Sequence, residues 1–344
     1  MLGTIMEDRQ HLVQEVIDRC TTLYIPIQAA IELTHKCNLH CSHCYIDVQE
    51  RNELVVEEWK LVIEKLKAAG TMFLLFTGGE ALARKDFLEI AGYARRQGFF
   101  IGLLSNFTLV TPELAAGIAK LRPYQLNTSL YGATPETHDI ITGIRGSYNQ
   151  TLRGIELFVQ QGLVPDVQTT IMKENVHEVR EIKRLVTDMG ARPIMDINMA
   201  PTRGGHDYPL SHVPGVKELR KSGWIPQTNS CTSDEGLCRA GKSICTISPS
   251  GDVYPCTMVP FRLGNILHDD FNSFWHTRPA AELCALRDLK VEDSPQCAVC
   301  ELQKYCQKCI GITYRECGKI SVSSPSACRL AEIRKALVTA ETGG

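Results

Sequence analysis

The chain reads as an α/β fold, a parallel sheet with helices outside it, followed by a cysteine-rich C-terminal region. Three observations predict this. Short β-branched or apolar runs alternate with longer amphipathic stretches, and parallel strands need crossovers, which here are helical. Several helical stretches end on glycine, which supplies the left-handed residue of a helix stop. The fifteen cysteines are segregated: Cys20, Cys37, Cys41 and Cys44 open the chain, none occurs from 45 to 230, and eleven follow from Cys231 to Cys328.

Taken in order, a first strand is expected at Ala29–Leu33, then a helix at Val56–Ala69 that stops in "KLKAAG". A strand at Met72–Phe76 leads to a helix at Lys85–Arg96, closed by "RRQG". The strand Phe99–Leu104 and helix Pro112–Lys120 come next, followed by strand Gln125–Leu130 and helix Ser147–Gln161, which stops in "VQQG". Strand Val167–Ile171, helix Val176–Met189 with its "TDMG" stop, and strand Ile194–Met199 complete the series.

Composition excludes several classes. At 344 residues and 44% hydrophobic the chain can bury a large core, and its length suggests about two domains. No apolar run approaches the ~18 residues of a membrane span, and the charged, helix-like N-terminus is not a signal peptide. A cytoplasmic location is expected, with no membrane association. Net charge is −2 and the basic residues are scattered, so no nucleic-acid footprint is present. Cytosolic thiols are kept reduced, which makes metal a better reading of the cysteines than a disulfide framework.

Cys37, Cys41 and Cys44 follow the first strand as C-x3-C-x2-C. In parallel barrels chemistry sits at the C-terminal strand ends. Three thiolates on one loop can wrap three corners of an iron–sulfur cube and leave the fourth iron open. With "TGGEAL" (Thr77–Leu82) after the second strand, the pattern resembles the radical S-adenosylmethionine (radical SAM) superfamily. "LLSNFTLV" (Leu103–Val110) resembles the family's Thr-Asn-Gly strand end, with Phe107 where glycine is common, and "NTSLYGATPETHD" (Asn127–Asp139) resembles its serine-bearing strand.

The resemblance implies a partial (β/α)6 barrel over 29–205. It further implies a 4Fe–4S cluster on Cys37, Cys41 and Cys44, with SAM chelating the open iron and contacted by Gly78, Gly79, Glu80, Asn106 and Ser129. Gly78 and Gly79 would let backbone approach the ligand where a Cβ would intrude, and Glu80 would accept from the SAM ammonium. Cluster potentials reach roughly −700 mV, low enough to break a sulfonium C–S bond. His35, His40 and His43 read as packing or surface residues, and Tyr45 as packing against the cluster loop.

The second cysteine field runs C-x12-G-x4-C from Cys238 to Cys256, then C-x2-C-x5-C-x2-C through Cys297, Cys300, Cys306 and Cys309, then Cys328. This resembles the SPASM extension of radical SAM enzymes, with x2 in place of the usual x3 before Cys309. The resemblance implies two auxiliary 4Fe–4S clusters, three clusters in all. Cys238, Cys256 and Cys309 would hold the first, completed by Cys245 or by Cys231, and Cys297, Cys300, Cys306 and Cys328 the second. Zinc on the four thiols from Cys297 to Cys309 is the alternative ligand reading. Cys20, Cys284, Cys317 and, where Cys245 completes the first cluster, Cys231 are expected to be buried or incidental thiols.

The domain expectation is therefore 1–28 lead-in with an N-terminal helix, 29–205 barrel, 206–230 linker, 231–330 SPASM, and 331–344 C-terminal helix and tail. Family members mostly modify ribosomally made peptides or proteins, so a peptide or protein substrate is expected, with tetrapyrrole side-chain chemistry as runner-up. A non-catalytic iron–sulfur carrier is the alternative from another class, against which "TGGEAL" argues. About 28 residues precede the first strand, so leader recognition is expected from a separate protein or from the SPASM region. An electron donor such as flavodoxin or ferredoxin is implied. No catalytic acid or base is legible.

Overall fold

The computed structural model describes residues 14–47, 52–226 and 238–339. A first helix, α1, covers 14–22. Six parallel strands follow: β1 (Gln28–Glu32), β2 (Phe73–Thr77), β3 (Phe100–Leu104), β4 (Gln125–Ser129), β5 (Asp166–Thr170) and β6 (Arg192–Asp196). The connecting helices are α2 (Val56–Ala68), α3 (Phe87–Arg96), α4 (Pro112–Lys120), α5 (Pro135–Thr142), α6 (Ser147–Gln160) and α7 (Val179–Asp188). The later part of the chain adds α8 (Val216–Ser222), β7 (Ile244–Ile247), β8 (Asp252–Tyr254) and β9 (Gly264–Asn265). It ends in α9 (Ala281–Asp288), α10 (Pro295–Ala298), α11 (Ile310–Cys317) and α12 (Pro325–Thr339).

The nine strands among the described residues form one open sheet in the order β6-β5-β4-β3-β2-β1-β7-β8-β9. Neighbours from β6 to β1 are parallel, as the helical crossovers require. β7 is also parallel to β1, with Ala29 opposite Cys245, while β8 and β9 add antiparallel strands. The C-terminal region thus continues the barrel sheet, and the stretch expected to be a linker carries α8 with its buried Leu219.

The first five expected strands lie within one residue of those observed. The sixth starts two residues earlier, at Arg192, because the Arg192 N–H reaches Pro165 O at 2.9 Å and its Cα pairs with Asp166. Pro193 cannot donate to a ladder, and it is accommodated because β6 is the sheet's edge. α3 starts at Phe87, two residues late, after a tight turn in which Arg84 donates to both carboxylate oxygens of Asp86 at 2.9 and 2.7 Å. The helix expected from Val176 opens as a 3-10 turn over Val176–Glu178.

The main core lies between the sheet and its helices, built around Trp59, Phe76, Phe87, Phe99 and Phe158. A second cluster joins Ile141 of α5 and Ile171 beyond β5 to Leu330, Ile333 and Leu337 of α12. A third, smaller cluster gathers Ala240, Val259, Leu286, Leu289 and Ile310 beneath the C-terminal cysteines. Among the described residues no helix is long and apolar enough to cross a membrane.

Candidate functional site

The loop after β1 is held at both ends by backbone. Thr34 O accepts from Gly79 N–H at 2.8 Å and Lys36 O from Glu80 N–H at 2.9 Å, which ties the loop to the turn after β2. Farther along, His40 and Ser42 N–H donate to Thr142 O and Ile141 O, at 2.8 and 2.9 Å, at the end of α5. Within the series of strands and helices up to β6, that helix is the one the sequence reading missed. It begins on Thr134, whose hydroxyl accepts from Thr137 N–H, carries Pro135 in its first turn, and ends on Gly143 at φ 70°.

These ties gather Cys37, Cys41 and Cys44 in one place. Burial, then the neighbouring Cys44 and Cys37, push the Cys41 thiol up to about 12. Burial also raises Cys37, with Glu80 and Cys44 adding to it, and burial raises Cys44. Mutual repulsion of this kind is what three clustered thiolates experience without a cation between them.

Gly78 has φ 137°, and a Cβ there would stand 2.1 Å from Thr34 O; one on Gly79 would meet His35 O and Lys36 O at 2.5 Å. The glycines are therefore required by the close approach of the cysteine loop, where the expectation had placed a ligand. Glu80 also differs from expectation. It is 1% exposed and already accepts from Leu82 N–H (2.9 Å), Ser105 Oγ (2.7 Å) and Asn106 N–H (2.7 Å). Its carboxylate fastens the turn after β2 to the end of β3 rather than facing the cleft.

The strand ends open into a cleft of about 510 Å³ lined by the three cysteines, Gly78, Gly79, Asn106, Ser129 and Tyr131, among others. Asn106 bonds Asn38 of the cysteine loop at 2.9 Å and accepts from Thr108. Tyr131, from the loop after β4, lines the cleft with the three cysteines, and burial drives its hydroxyl pKa upward. His43 stacks edge-on to it at 4.7 Å, His35 is buried against Glu32 at 3.1 Å, and His40 is exposed.

Several buried polar atoms of the cleft lining have no partner among the described residues: His43 Nδ1, Asn127 Oδ1, Thr128 Oγ1 and His138 Nε2. Buried polar atoms are ordinarily satisfied, so a cleft that leaves several unsatisfied fits a polar ligand. His138 Nδ1 accepts from Tyr131 N–H at 3.1 Å, which leaves Nε2 as the donor. Burial pushes its pKa down to about 4, so the ring is neutral near pH 7.

Two further thiol groups form in the C-terminal region. Cys309 raises Cys238, and Cys238 and Cys309 both raise Cys256, in each case after burial, so these three stand together. Cys297 and Cys300 likewise raise Cys328. Cys306 follows the short 3-10 turn Gln303–Tyr305 in the same segment. No three described His, Cys, Asp or Glu side chains converge closely enough to chelate a single ion; a four-iron cluster asks for a wider set, one ligand to each iron. The all-thiol donor sets fit such clusters.

Cys245 is not brought to its expected partners. It sits on β7 opposite Ala29, 2% exposed, in the main core with Ile247 and Val253. Thr246, pointing to the other face of the strand, lines a smaller cavity together with Cys256. Burial alone raises the Cys245 thiol, to about 12. Cys231 lies outside the described residues. Cys20 and Cys284 are half-buried, and Cys317 is exposed.

That smaller cavity also holds a network the sequence did not signal. Arg203 donates to both carboxylate oxygens of Glu32, stacks over Tyr45 at 5.5 Å and reaches Thr257 O at 3.2 Å, beside Cys256. Burial would raise the Glu32 pKa, but bonds from His35 and Arg203 outweigh it and hold the carboxyl below its usual range. Residues this far apart in sequence leave no local pattern.

Comparison with known proteins places these features together. The Radical SAM superfamily model matches residues 31–186, and an iron–sulfur cluster-binding domain, SPASM, matches 238–309. The AdoMet-dependent heme synthase of Methanosarcina barkeri is 29% identical over 336 residues, covering 87% of this chain and 95% of that protein. The antilisterial bacteriocin subtilosin biosynthesis protein AlbA of Bacillus subtilis is 27% identical over 310 residues, covering 83% and 67%. Among solved structures, Streptococcus suis SuiB bound to precursor peptide SuiA superposes with a TM-score of 0.70 at 17% identity, over 95% of this chain and 81% of that one.

Proposed function

This chain belongs to the radical SAM superfamily and carries a C-terminal SPASM domain, and on that premise we propose that it is an enzyme that modifies a ribosomally made peptide or protein. The observation that carries the reading is the single cleft onto which the thiol trio, the Gly78–Gly79 turn and the ends of β3 and β4 all open. Cys37, Cys41 and Cys44 would hold a 4Fe–4S cluster, which would supply the low-potential electron for reductive cleavage of SAM and so the radical chemistry on the substrate.

The chain's own groups bind and orient. The backbone of Gly78 and Gly79, the Asn106 side chain and Ser129 line the SAM side of the cleft. His138 Nε2–H and Asn127 Oδ1 offer a buried donor and acceptor to whatever fills it. In the C-terminal region, Cys238, Cys256 and Cys309 hold the first auxiliary cluster. Cys297, Cys300, Cys306 and Cys328 hold the second, for three clusters in all. The barrel takes 29–205 and the SPASM region 231–330, and a flavodoxin- or ferredoxin-type donor supplies the electrons.

A peptide is favoured over a tetrapyrrole by the cleft's charge. Its lining includes four histidines and no described Lys or Arg, whereas a polycarboxylate macrocycle calls for cations at its rim. Relationship to a bacteriocin biosynthesis protein supports the same choice. Tetrapyrrole chemistry stands second, supported by a heme synthase matched along 95% of its length.

Anaerobic reconstitution followed by mass spectrometry, with precursor peptides in one arm and tetrapyrroles in the other, decides between them. Replacing Cys37, Cys41 and Cys44 together by Ala should abolish 5′-deoxyadenosine formation and leave about eight of about twelve irons, at four per cluster. SAM cleavage by that variant would sink the cofactor assignment.

A further inference from the structure

Lys308 lies in the two-residue loop between Cys306 and Cys309, at the position where the sequence is one residue shorter than the usual pattern. The half-buried side chain brings Nζ to 3.6 Å from Cys297 Sγ, its one hydrogen-bond partner among the described residues.

Each thiol group also receives a backbone donor two residues on. Leu39 N–H reaches Cys37 Sγ, Ala240 N–H reaches Cys238 Sγ, and Leu302 N–H reaches Cys300 Sγ, all at 3.4 Å. Those donors are neutral and common to the three sites. Among the described residues, Lys308 is the one ammonium that hydrogen-bonds a cysteine sulfur. Hydrogen bonds to sulfur and net charge are the levers that set a cluster's potential. Adding an electron makes a cluster more negative, so a fixed cation beside a ligating thiolate favours the reduced form.

We propose that Lys308 is a positioning residue that raises the reduction potential of the auxiliary cluster on Cys297, Cys300, Cys306 and Cys328, and so makes that cluster an electron acceptor. The proposal rests on the reading that these four cysteines hold a cluster, and its test separates the two.

Full-length protein is reconstituted anaerobically as wild type, Lys308→Met, Lys308→Gln and Lys308→Arg. Iron is counted, and the clusters are titrated electrochemically under electron paramagnetic resonance, with Cys297→Ala identifying the second auxiliary signal. Lys308→Met should keep about twelve irons, and the equilibrium constant for reducing that cluster should fall at least tenfold, ~59 mV for one electron. Lys308→Gln, which keeps an N–H donor without the charge, should fall between, and Lys308→Arg should restore the wild-type potential. An unchanged potential in Lys308→Met at full iron content would overturn the tuning role while leaving the cluster assignment intact. Loss of these irons in both the Met and Gln variants would make Lys308 a structural requirement and also overturn it. Wild type that lacks any signal removed by Cys297→Ala would remove the cluster itself, and the proposal with it.

Discussion

Phe107 stands where the family pattern favours glycine, and it adopts φ 60°, a left-handed conformation costing a side chain roughly 1–2 kcal/mol. Its ring is fully buried and lies 4.7 Å from Phe158, and burial of an aromatic of this size, worth about 1.5–3 kcal/mol, offsets the strain. Gly154 makes room for it, since a Cβ there would come within 2.5 Å of Phe107 O. Cys245 is the other residue whose surroundings decide its role. Because it packs in the core opposite Ala29, Cys245→Ala should leave the iron content of reconstituted protein unchanged. Cys256→Ala should lose about four irons. Equal losses from the two variants would return Cys245 to the ligand set.

At the scale of the element, α5 carries the cysteine loop on its last turn, and its first turn is held by a distant carboxylate. Glu178 accepts from Ala133 N–H at 2.6 Å and from the hydroxyls of Thr134 and Thr137 at 3.1 and 2.5 Å. Removing a cap of this kind costs about 1–2 kcal/mol. Glu178→Ala should therefore lower the melting temperature by a few degrees. It should also weaken retention of the Cys37–Cys44 cluster during gel filtration, although Glu178 touches no cysteine. Full cluster retention with a lowered melting temperature would show that the loop does not depend on α5. The sequence could not reveal this helix from its glycine stops alone, because "PETHDIIT" is only eight residues long and is followed directly by the longer pattern of α6.

Across the whole molecule, the sheet runs unbroken from β6 to β9, so the two family domains share one hydrogen-bonded framework. Arg203 ties Glu32 at the end of β1 to Thr257 beside Cys256, and Arg315 extends the chain of contacts through Met258 O at 3.0 Å. On the other side, the fully buried Arg334 of α12 joins Asn198, beyond β6, at 2.6 Å to Tyr305 O, beside Cys306, at 3.3 Å. A chain ending at residue 226 would uncover the β1 edge now paired with β7 and the apolar surface now covered by Ile247, Val253, Ile266 and Trp275. Unpaired edges and exposed apolar faces promote association. The truncated chain should aggregate on expression, while the full chain stays in solution; a monodisperse, folded fragment by size-exclusion chromatography and circular dichroism would show that the barrel stands alone.

The sequence by itself determined the alternating strands and helices, the three-cysteine loop with its Gly-Gly partner turn, and the spacing of the C-terminal thiols. All of these are local patterns, set by side-chain periodicity, helix stops and ligand spacing within a few residues. Tertiary structure alone decided that Cys245 faces the core, that Glu80 is consumed by Ser105, Asn106 and Leu82, that β7 joins β1, and that Lys308 reaches Cys297. Each of these depends on which face of a strand a residue occupies or on which distant segment packs beside it. A strand reverses its facing side at every residue, so a correct motif leaves the face undetermined until the register with its neighbour is formed.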